Sequence, residues 1–258
     1  MPVKRLPGTI YHLFGSFVIL IAIAVIGLKS TNPAHAWGAI LLLIVAFAML
    51  NGHGITGSPW GALIDSRNRM SLSRPQMLAW TFIIVSALAA MILWNVERSV
   101  TPLNITVPSE LWILLGISTA SAVAAPAVLS SKDQKQADPA QLAQTSIKLQ
   151  QQVNVTPDDE HKGVVVRNKD IGDARFSDLL KGDEVGNAYS LDIGKLQMFF
   201  FTFILAAGYG AAIYAMLHNA MSANAQIPAL PPVQEGMNVL LGISQTGYLA
   251  AKATNNSK

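Results

Sequence analysis

The stretch QMLAWTFIIVSALAAMILW, residues 76–94, decides the fold class. It holds nineteen residues without a charged side chain, and a helix of that length, at 1.5 Å per residue, crosses the roughly 30 Å hydrocarbon layer of a bilayer. Four further runs are also predicted to span: 10–28, 36–50, 111–129 and 196–217. A sixth run, 237–251, is about fifteen residues long, and the run at 36–50 needs 51–55 or a thin bilayer to complete its crossing.

The composition agrees with a membrane protein. Charged residues make up 13% of the 258-residue chain and hydrophobic residues 51%, whereas a soluble domain carries about 25% charged residues. The chain has no cysteine, which excludes disulfides, thiolate metal ligands, cysteine nucleophiles and iron–sulfur clusters.

The basic residues predict the topology. Short loops rich in Lys and Arg stay in the cytoplasm, and six crossings with both termini inside place 16 of the 18 basic residues on that side. Only Lys29 and Arg98 then face outward. A five-span alternative puts Lys252 and Lys258 outside and fits less well.

Residues 131–189 form the one polar segment, which we call the linker. It carries 18 of the 33 charged residues. A helix is predicted after Asp138, with Pro at its first position, then a short strand at 163–167 and a short helix at 176–182. The segment is predicted to be too small and polar to bury much core, and to pack on the membrane domain or on a partner.

An internal repeat organises the chain around this linker. RPQMLAWTFI at 74–83 matches KLQMFFFTFI at 195–204 with an offset of 121, and LLGIS at 114–118 recurs at 240–244 with an offset of 126. Two hairpins are thus duplicated in the same orientation, a parallel repeat. The sequence predicts an all-α membrane protein of about six transmembrane helices, divided as 1–55 (N-terminal hairpin), 56–130 (first repeat), 131–189 (cytoplasmic linker) and 190–258 (second repeat).

Small residues four apart give the repeated helices a slim face. Gly116 and Ala120 are copied as Gly242 and Thr246, and such a face lets another helix approach closely. The face is interpreted as a packing seam between hairpins or subunits; the alternative is the lining of a pore. The packing or pore-lining candidates are Gly116, Ser118, Ala120, Gly242, Ser244, Gln245 and Thr246. The candidates for membrane anchoring and lipid headgroups are Arg67, Arg69, Arg74 and Lys195.

Three segments carry a family resemblance: FSDLLKGDEVGN at 176–187, LDIGKLQM at 191–198 and EGMNVLLGISQTGYL at 235–249. Together with the repeat, they resemble a family of bacterial multi-span inner-membrane proteins over roughly residues 60–252. The resemblance implies a bacterial cytoplasmic membrane. It brings no activity, so no functional residue is carried over.

The remaining sequence predicts no chemistry. The six spans contain no Asp, Glu, Lys or Arg, which disfavours a proton-coupled carrier, and the nucleotide, zinc-protease and serine-hydrolase motifs are absent. The five histidines are scattered, and the acidic run at 158–160 is interpreted as a solvated turn. We therefore expect no catalytic residue, cofactor, metal or nucleic acid.

Two functions remain as hypotheses. The first is a non-catalytic scaffold subunit of a membrane assembly, in contact with lipids and with further copies or other subunits, for which 131–189 is a candidate contact. The alternative is an oligomeric channel for ions or small solutes.

Overall fold

The computed structural model describes residues 9–98, 101–152, 161–254 and 257. In this part of the chain the helices are α1 (Thr9–Lys29), α2 (Pro33–Thr56), α3 (Ser73–Val96), α4 (Ser109–Ser130), α5 (Pro139–Gln152), α6 (Ile193–Ala223) and α7 (Glu235–Ala253). The predicted all-α membrane fold is confirmed. Lys4, Arg5, Lys258 and the acidic run at 158–160 lie outside the described residues.

Five of these helices, α1 to α4 and α6, are long and apolar enough to cross a membrane. They correspond to the five clear runs of the sequence. The short second run is extended at both ends: Asn32 caps α2 by accepting hydrogen bonds from the amides of Ala34 and His35 (3.0 and 3.2 Å), and Gly57, at φ +76°, ends the helix. The sixth run lies on α7, a 19-residue helix that is not among the five apolar ones.

The chain forms two compact units. Unit 1 comprises Met1–Ala62, Leu78–Leu115 and Ile204–Asn238. Within it, the loops that follow α3 and α6 bind each other: the Thr106 amide donates to the Pro228 carbonyl (2.8 Å) and the Leu230 amide to the Thr106 carbonyl (3.0 Å). Both hairpin turns therefore meet on one side, as expected for a parallel repeat.

Unit 2 comprises Leu63–Met77, Gly116–Phe203 and Val239–Lys258, and so contains the linker together with parts of α3, α4, α6 and α7. We use the name linker ends for the helix ends in this unit: the start of α3, the end of α4, the start of α6 and the end of α7. Four residues pack against one another there: Leu72, directly before α3, and Ala125, Met198 and Tyr248 on α4, α6 and α7. We refer to these four residues as the packed layer.

The linker contains more structure than its polarity suggested. Val164 and Val165 pack on Leu129 of α4, and Val166 packs on Val185 and Ala188. The described valines of the linker are therefore buried, partly against α4 and partly against the linker's own Val185 and Ala188.

The predicted linker elements are shorter than expected, except for the helix. Asp138 accepts a hydrogen bond from the Ala140 amide (2.9 Å) and starts α5 as predicted. The predicted strand is a hairpin of two-residue strands, β1 (His161–Lys162) and β2 (Val165–Val166), and the predicted short helix is a single 3₁₀ turn, Phe176–Leu179. Gly163 adopts φ +60° in the hairpin, where a Cβ would lie 2.5 Å from the carbonyl oxygen of Asp133, so a side chain is excluded on both grounds.

Candidate functional site

Buried charge is concentrated in unit 2. Among the described residues, nine charged side chains are buried, and all of them lie in the linker or at the linker ends of helices. We call this set the ion cluster: Asp65, Arg67, Arg69, Lys132, Asp178, Asp183, Glu184, Lys195 and Lys252.

A tight hairpin before α3 presents the two arginines of the ion cluster. The Asp65 amide donates to the Arg69 carbonyl (2.9 Å), and Asn68 turns the chain with φ +57°, a left-handed conformation that Asn tolerates better than most residues. The Arg67 guanidinium is held by Asp65 Oδ2, at 2.9 Å from Nε and 2.7 Å from Nη2.

Asp183 is the centre of the ion cluster. Its Oδ1 lies 2.8 Å from Nη1 of Arg67 and 3.0 Å from Nζ of Lys195, and its Oδ2 lies 2.8 Å from Nζ of Lys252. One linker carboxylate thus joins the segment before α3, the start of α6 and the end of α7. Lys252 also donates to the hydroxyl of Tyr248 (2.8 Å).

The charges perturb the pKa values outside the apolar helices. Burial by itself would raise the pKa of Asp183, but the positive charges of Lys195, Lys252, Arg67 and Arg69 outweigh burial and hold this pKa well below its ordinary value. Burial opposes the charged form of Arg67, but Asp183 and Asp65 raise its pKa above the ordinary value. Both groups are therefore ionised at neutral pH.

Two further ion pairs extend the contact. Arg69 Nη2 lies 3.2 Å from Asp178 Oδ1. Lys132, just after α4, pairs with Glu184 and also donates to the carbonyls of Lys252 and Thr254 (2.7 and 2.6 Å). It thereby places a cation on the last carbonyls of α7, where the helix dipole favours positive charge.

The ion cluster fixes the linker to the linker ends of four helices, and burying its charges removes them from water. Charges removed from water must be paired and hydrogen-bonded to be tolerated. The ion cluster contains five cations and four anions. The geometry makes the ion cluster a structural clamp, because its nine groups contact other groups of the protein. One side of the ion cluster, formed by Asp65 and Arg67, also borders an open space.

That side is a small cleft of about 80 Å³ lined by eight residues. The lining residues are Asp65, Ser66, Arg67, Pro126, Leu129, Ser130, Asp133 and Arg167. Asp133 pairs with Arg167 across it (2.7 Å). The cleft thus holds two carboxylates and two guanidiniums, an arrangement that favours neither anions nor cations.

The expected lipid-headgroup residues are placed differently from the prediction. Arg67, Arg69 and Lys195 are buried, at 4%, 4% and 2% exposure, and are paired with carboxylates of the protein. In the structure these three side chains are occupied by linker carboxylates, and headgroup binding by them stays a prediction. Arg74 is half-buried.

The predicted small-residue face lies mostly at the surface. Gly116, Ala120 and Thr246 are exposed and Gly242 is half-buried; a Cβ on Gly116 would meet no described atom within 4 Å, whereas a Cβ on Gly242 would lie 3.9 Å from Ile117 of α4. Gly242 therefore lies against the other hairpin, and the exposed positions are open to a contact between subunits. Ser118, Ser244 and Gln245 are buried instead, at 1%, 3% and 3% exposure.

The exposure of this face follows from a difference in offset: the positions that match in sequence between the two copies are not the positions that are buried in both. On α6 the buried residues are Lys195, Met198, Thr202, Tyr209, Ile213 and Leu217, and each has a buried equivalent on α3 at an offset of 122: Ser73, Gln76, Trp80, Ala87, Met91 and Asn95. On α4 and α7 the buried pairs recur at 127. The sequence motifs match at 121 and 126, so each copy is turned by one residue, about 100° around the helix.

Six of the buried polar side chains of these helices share one property. Their side-chain nitrogen and oxygen atoms make no hydrogen bond in the structure. We call this set the polar layer: Gln76 on α3, Ser118 and Ser121 on α4, Thr202 on α6, and Ser244 and Gln245 on α7.

The histidines include one pair that the sequence did not indicate. His12 Nε2 lies 3.1 Å from His53 Nδ1, with the rings stacked at 5.4 Å between centroids. No group of three or more His, Cys, Asp or Glu side chains that could hold a metal ion occurs in the described part of the chain.

Asp183, Glu184, Lys132 and Lys252 were not identified from the sequence. The available signal was position: Lys132, Lys195 and Lys252 each stand alone at the linker end of an apolar helix, where topology alone seemed to explain them. The pairing partners are separated by long stretches of chain and carry no local pattern.

Comparison of the chain with protein-family models, with curated proteins and with solved structures found no match in any of the three searches.

Proposed function

We propose that this integral membrane protein is a non-catalytic scaffold subunit that assembles with further copies of itself in a bacterial cytoplasmic membrane, with the linker and both termini on the cytoplasmic side. The observation that carries the proposal is the exposed slim face of α4 and α7. Gly116 and Ala120 on α4, and Thr246 and Gly247 on α7, are exposed.

The geometry favours an intermolecular role for this face. A Cβ on Gly116 or Gly247 meets no atom of the described residues within 4 Å, so the described part of the monomer does not require a glycine at either position. Small residues at a helix surface permit close approach of another helix in lipid. The ion cluster supports the same role, because it clamps the linker to the helices and makes a fixed platform rather than a mobile arm.

In-membrane crosslinking tests the scaffold role. The chain has no cysteine, so single-cysteine variants report on one position each. Gly116→Cys and Ala120→Cys are expected to form disulfide-linked dimers on oxidation. Phe203→Cys is the matched control, since Phe203 is 63% exposed on α6 among other large aromatic side chains. Monomer alone from both α4 variants, at any expression level, would contradict the proposal.

A channel is the second candidate, favoured by the polar layer. Ser118, Ser244 and Gln245, predicted as pore-lining, are buried and have polar atoms without protein partners, and such groups can replace part of the hydration shell of a permeating ion. Planar-bilayer recordings of the purified protein test this role. A silent bilayer at high protein density would exclude ion conduction, whereas discrete conductance steps altered by Gln245→Leu would favour it.

A further inference from the structure

The polar layer departs from the ordinary behaviour of hydroxyls in helices. Ser and Thr within helices normally donate back to a carbonyl one turn earlier, and the chain shows this elsewhere: Thr246 donates to Gly242 (2.8 Å) and Ser86 to Ile83 (3.0 Å). Ser118, Ser121, Thr202 and Ser244 make no such bond. Their oxygens are thus left for a partner that is not the protein backbone.

Helix geometry places these side chains together. Residues four apart stack on one face of a helix, about 6 Å along its axis. Gln76, Ser121, Thr202 and Ser244 each lie four positions from Leu72, Ala125, Met198 and Tyr248 respectively, and those four pack against one another. In every helix the shift is away from the linker end, so the four polar side chains form a level next to the packed layer.

The remaining two members adjoin the same level. Ser118 lies three positions beyond Ser121 on α4, and Gln245 neighbours Ser244 on α7. All six side chains are at least 91% buried, and all six belong to unit 2.

The chemistry of the polar layer identifies its ligand. It offers hydroxyls and carboxamides only, with eight unpaired polar atoms and no charge. Leaving a buried donor or acceptor unpaired is destabilising, and native proteins satisfy nearly all such groups. A neutral partner that both donates and accepts hydrogen bonds meets this requirement.

We propose that the polar layer is a buried hydration site, which holds bound water between α3, α4, α6 and α7. At about three hydrogen bonds for each buried water, eight atoms correspond to roughly three molecules. The packed layer separates this water from the ion cluster, since Tyr248 directs its hydroxyl to Lys252. The inference does not rest on the scaffold role, because the bound water lies within one copy of the protein.

Hydroxyl-radical footprinting of the full-length protein by a short X-ray pulse tests the site. Radicals form from bound water and oxidise the side chains beside it, including those that bulk solvent does not reach. Met198 and Met91 are matched probes, because both have 0% exposure. Met198 stands one turn from Thr202, whereas Asn95, one turn from Met91, is fully bonded to Ile227 (2.9 Å from each amide atom).

Met198 is expected to be oxidised several-fold faster than Met91. Equal protection of the two methionines would overturn the proposal, because it would show that the polar layer is dry. Thr202→Val, an isosteric change, is expected to slow Met198 oxidation, whereas Thr246→Val is the control, since the Thr246 hydroxyl is exposed and bonded to its own helix. Met91 also reports on folding: a variant that unfolds would expose both methionines together.

Discussion

Replacing Asp183 by Asn is the sharpest perturbation of the ion cluster. The amide keeps the shape of the side chain but removes the single negative charge that faces Arg67, Lys195 and Lys252 at 2.8–3.0 Å. The ion cluster would then hold five cations and three anions.

The expected loss follows from the contacts that remain. Arg67 keeps Asp65, Lys195 keeps the carbonyl of Lys181, and Lys252 keeps the hydroxyl of Tyr248. Removing one partner of a buried ion pair costs about 3–5 kcal/mol. Because three cations share this carboxylate, we expect the upper end, about 5 kcal/mol, and a fall in Tm of about 10–20 °C for a chain of this size.

Thermal unfolding of the detergent-solubilised protein, followed by tryptophan fluorescence, measures this loss. Asp170→Asn is the control, since it is the same substitution on an exposed linker residue, and its Tm is expected to stay within about 2 °C of the parent. Adding Lys252→Met to Asp183→Asn removes one unbalanced cation and is expected to recover part of the loss. A Tm for Asp183→Asn equal to that of the Asp170 control would refute the clamp.

The other predictions concern pH, the slim face and the arginine hairpin. The folded-state pKa of Asp183 lies below its ordinary value. The ionised Asp183 therefore stabilises the folded protein above about pH 4, and this stabilisation is lost as the pH falls further through the folded-state pKa. The acid-induced drop in Tm is expected to be smaller in Asp183→Asn. Gly116→Leu is expected to reduce oligomer yield in size-exclusion chromatography without changing the monomer's Tm, because a Cβ on Gly116 meets no described atom within 4 Å. Gly242→Leu is expected to lower both the oligomer yield and the Tm, because a Cβ on Gly242 would lie 3.9 Å from Ile117. An unchanged yield in the two variants would argue against the seam. Asn68→Ala is expected to lower the free energy of unfolding by about 1–2 kcal/mol, because alanine is strained at φ +57°. Asn68→Gly is expected to lower it less, because glycine adopts this conformation without strain. A larger loss in the glycine variant would show that backbone strain does not determine the effect.

The five apolar helices could be predicted from the sequence because length and hydropathy suffice to define a span. The faces of the helices could not. Lipid is as apolar as a protein interior, so side chains such as Phe203 on the outside and Ile213 on the inside carry the same signal. The one-residue turn between the sequence repeat and the burial repeat is for this reason invisible in the chain alone.

The candidate site was predicted in part, residue by residue. Ser118, Ser244 and Gln245 were identified as polar groups on repeated helices, and the structure buries all three. Arg67, Arg69 and Lys195 were identified as well, but without their carboxylate partners, because a basic residue at a membrane boundary looks the same whether it meets a phosphate or a carboxylate. The choice of Asp183 as their partner depends on how the linker folds back, which no local pattern encodes.

The buried side of α7 has a consequence for where this helix can lie. Of its six buried residues, four are polar or charged: Asn238, Ser244, Gln245 and Lys252. A helix with such a face is a poor guest in bare lipid. Lys252 also supplies the one cation by which the ion cluster departs from a balance of four against four. α7 is thus tolerated in a membrane only beside protein groups that pair with this face.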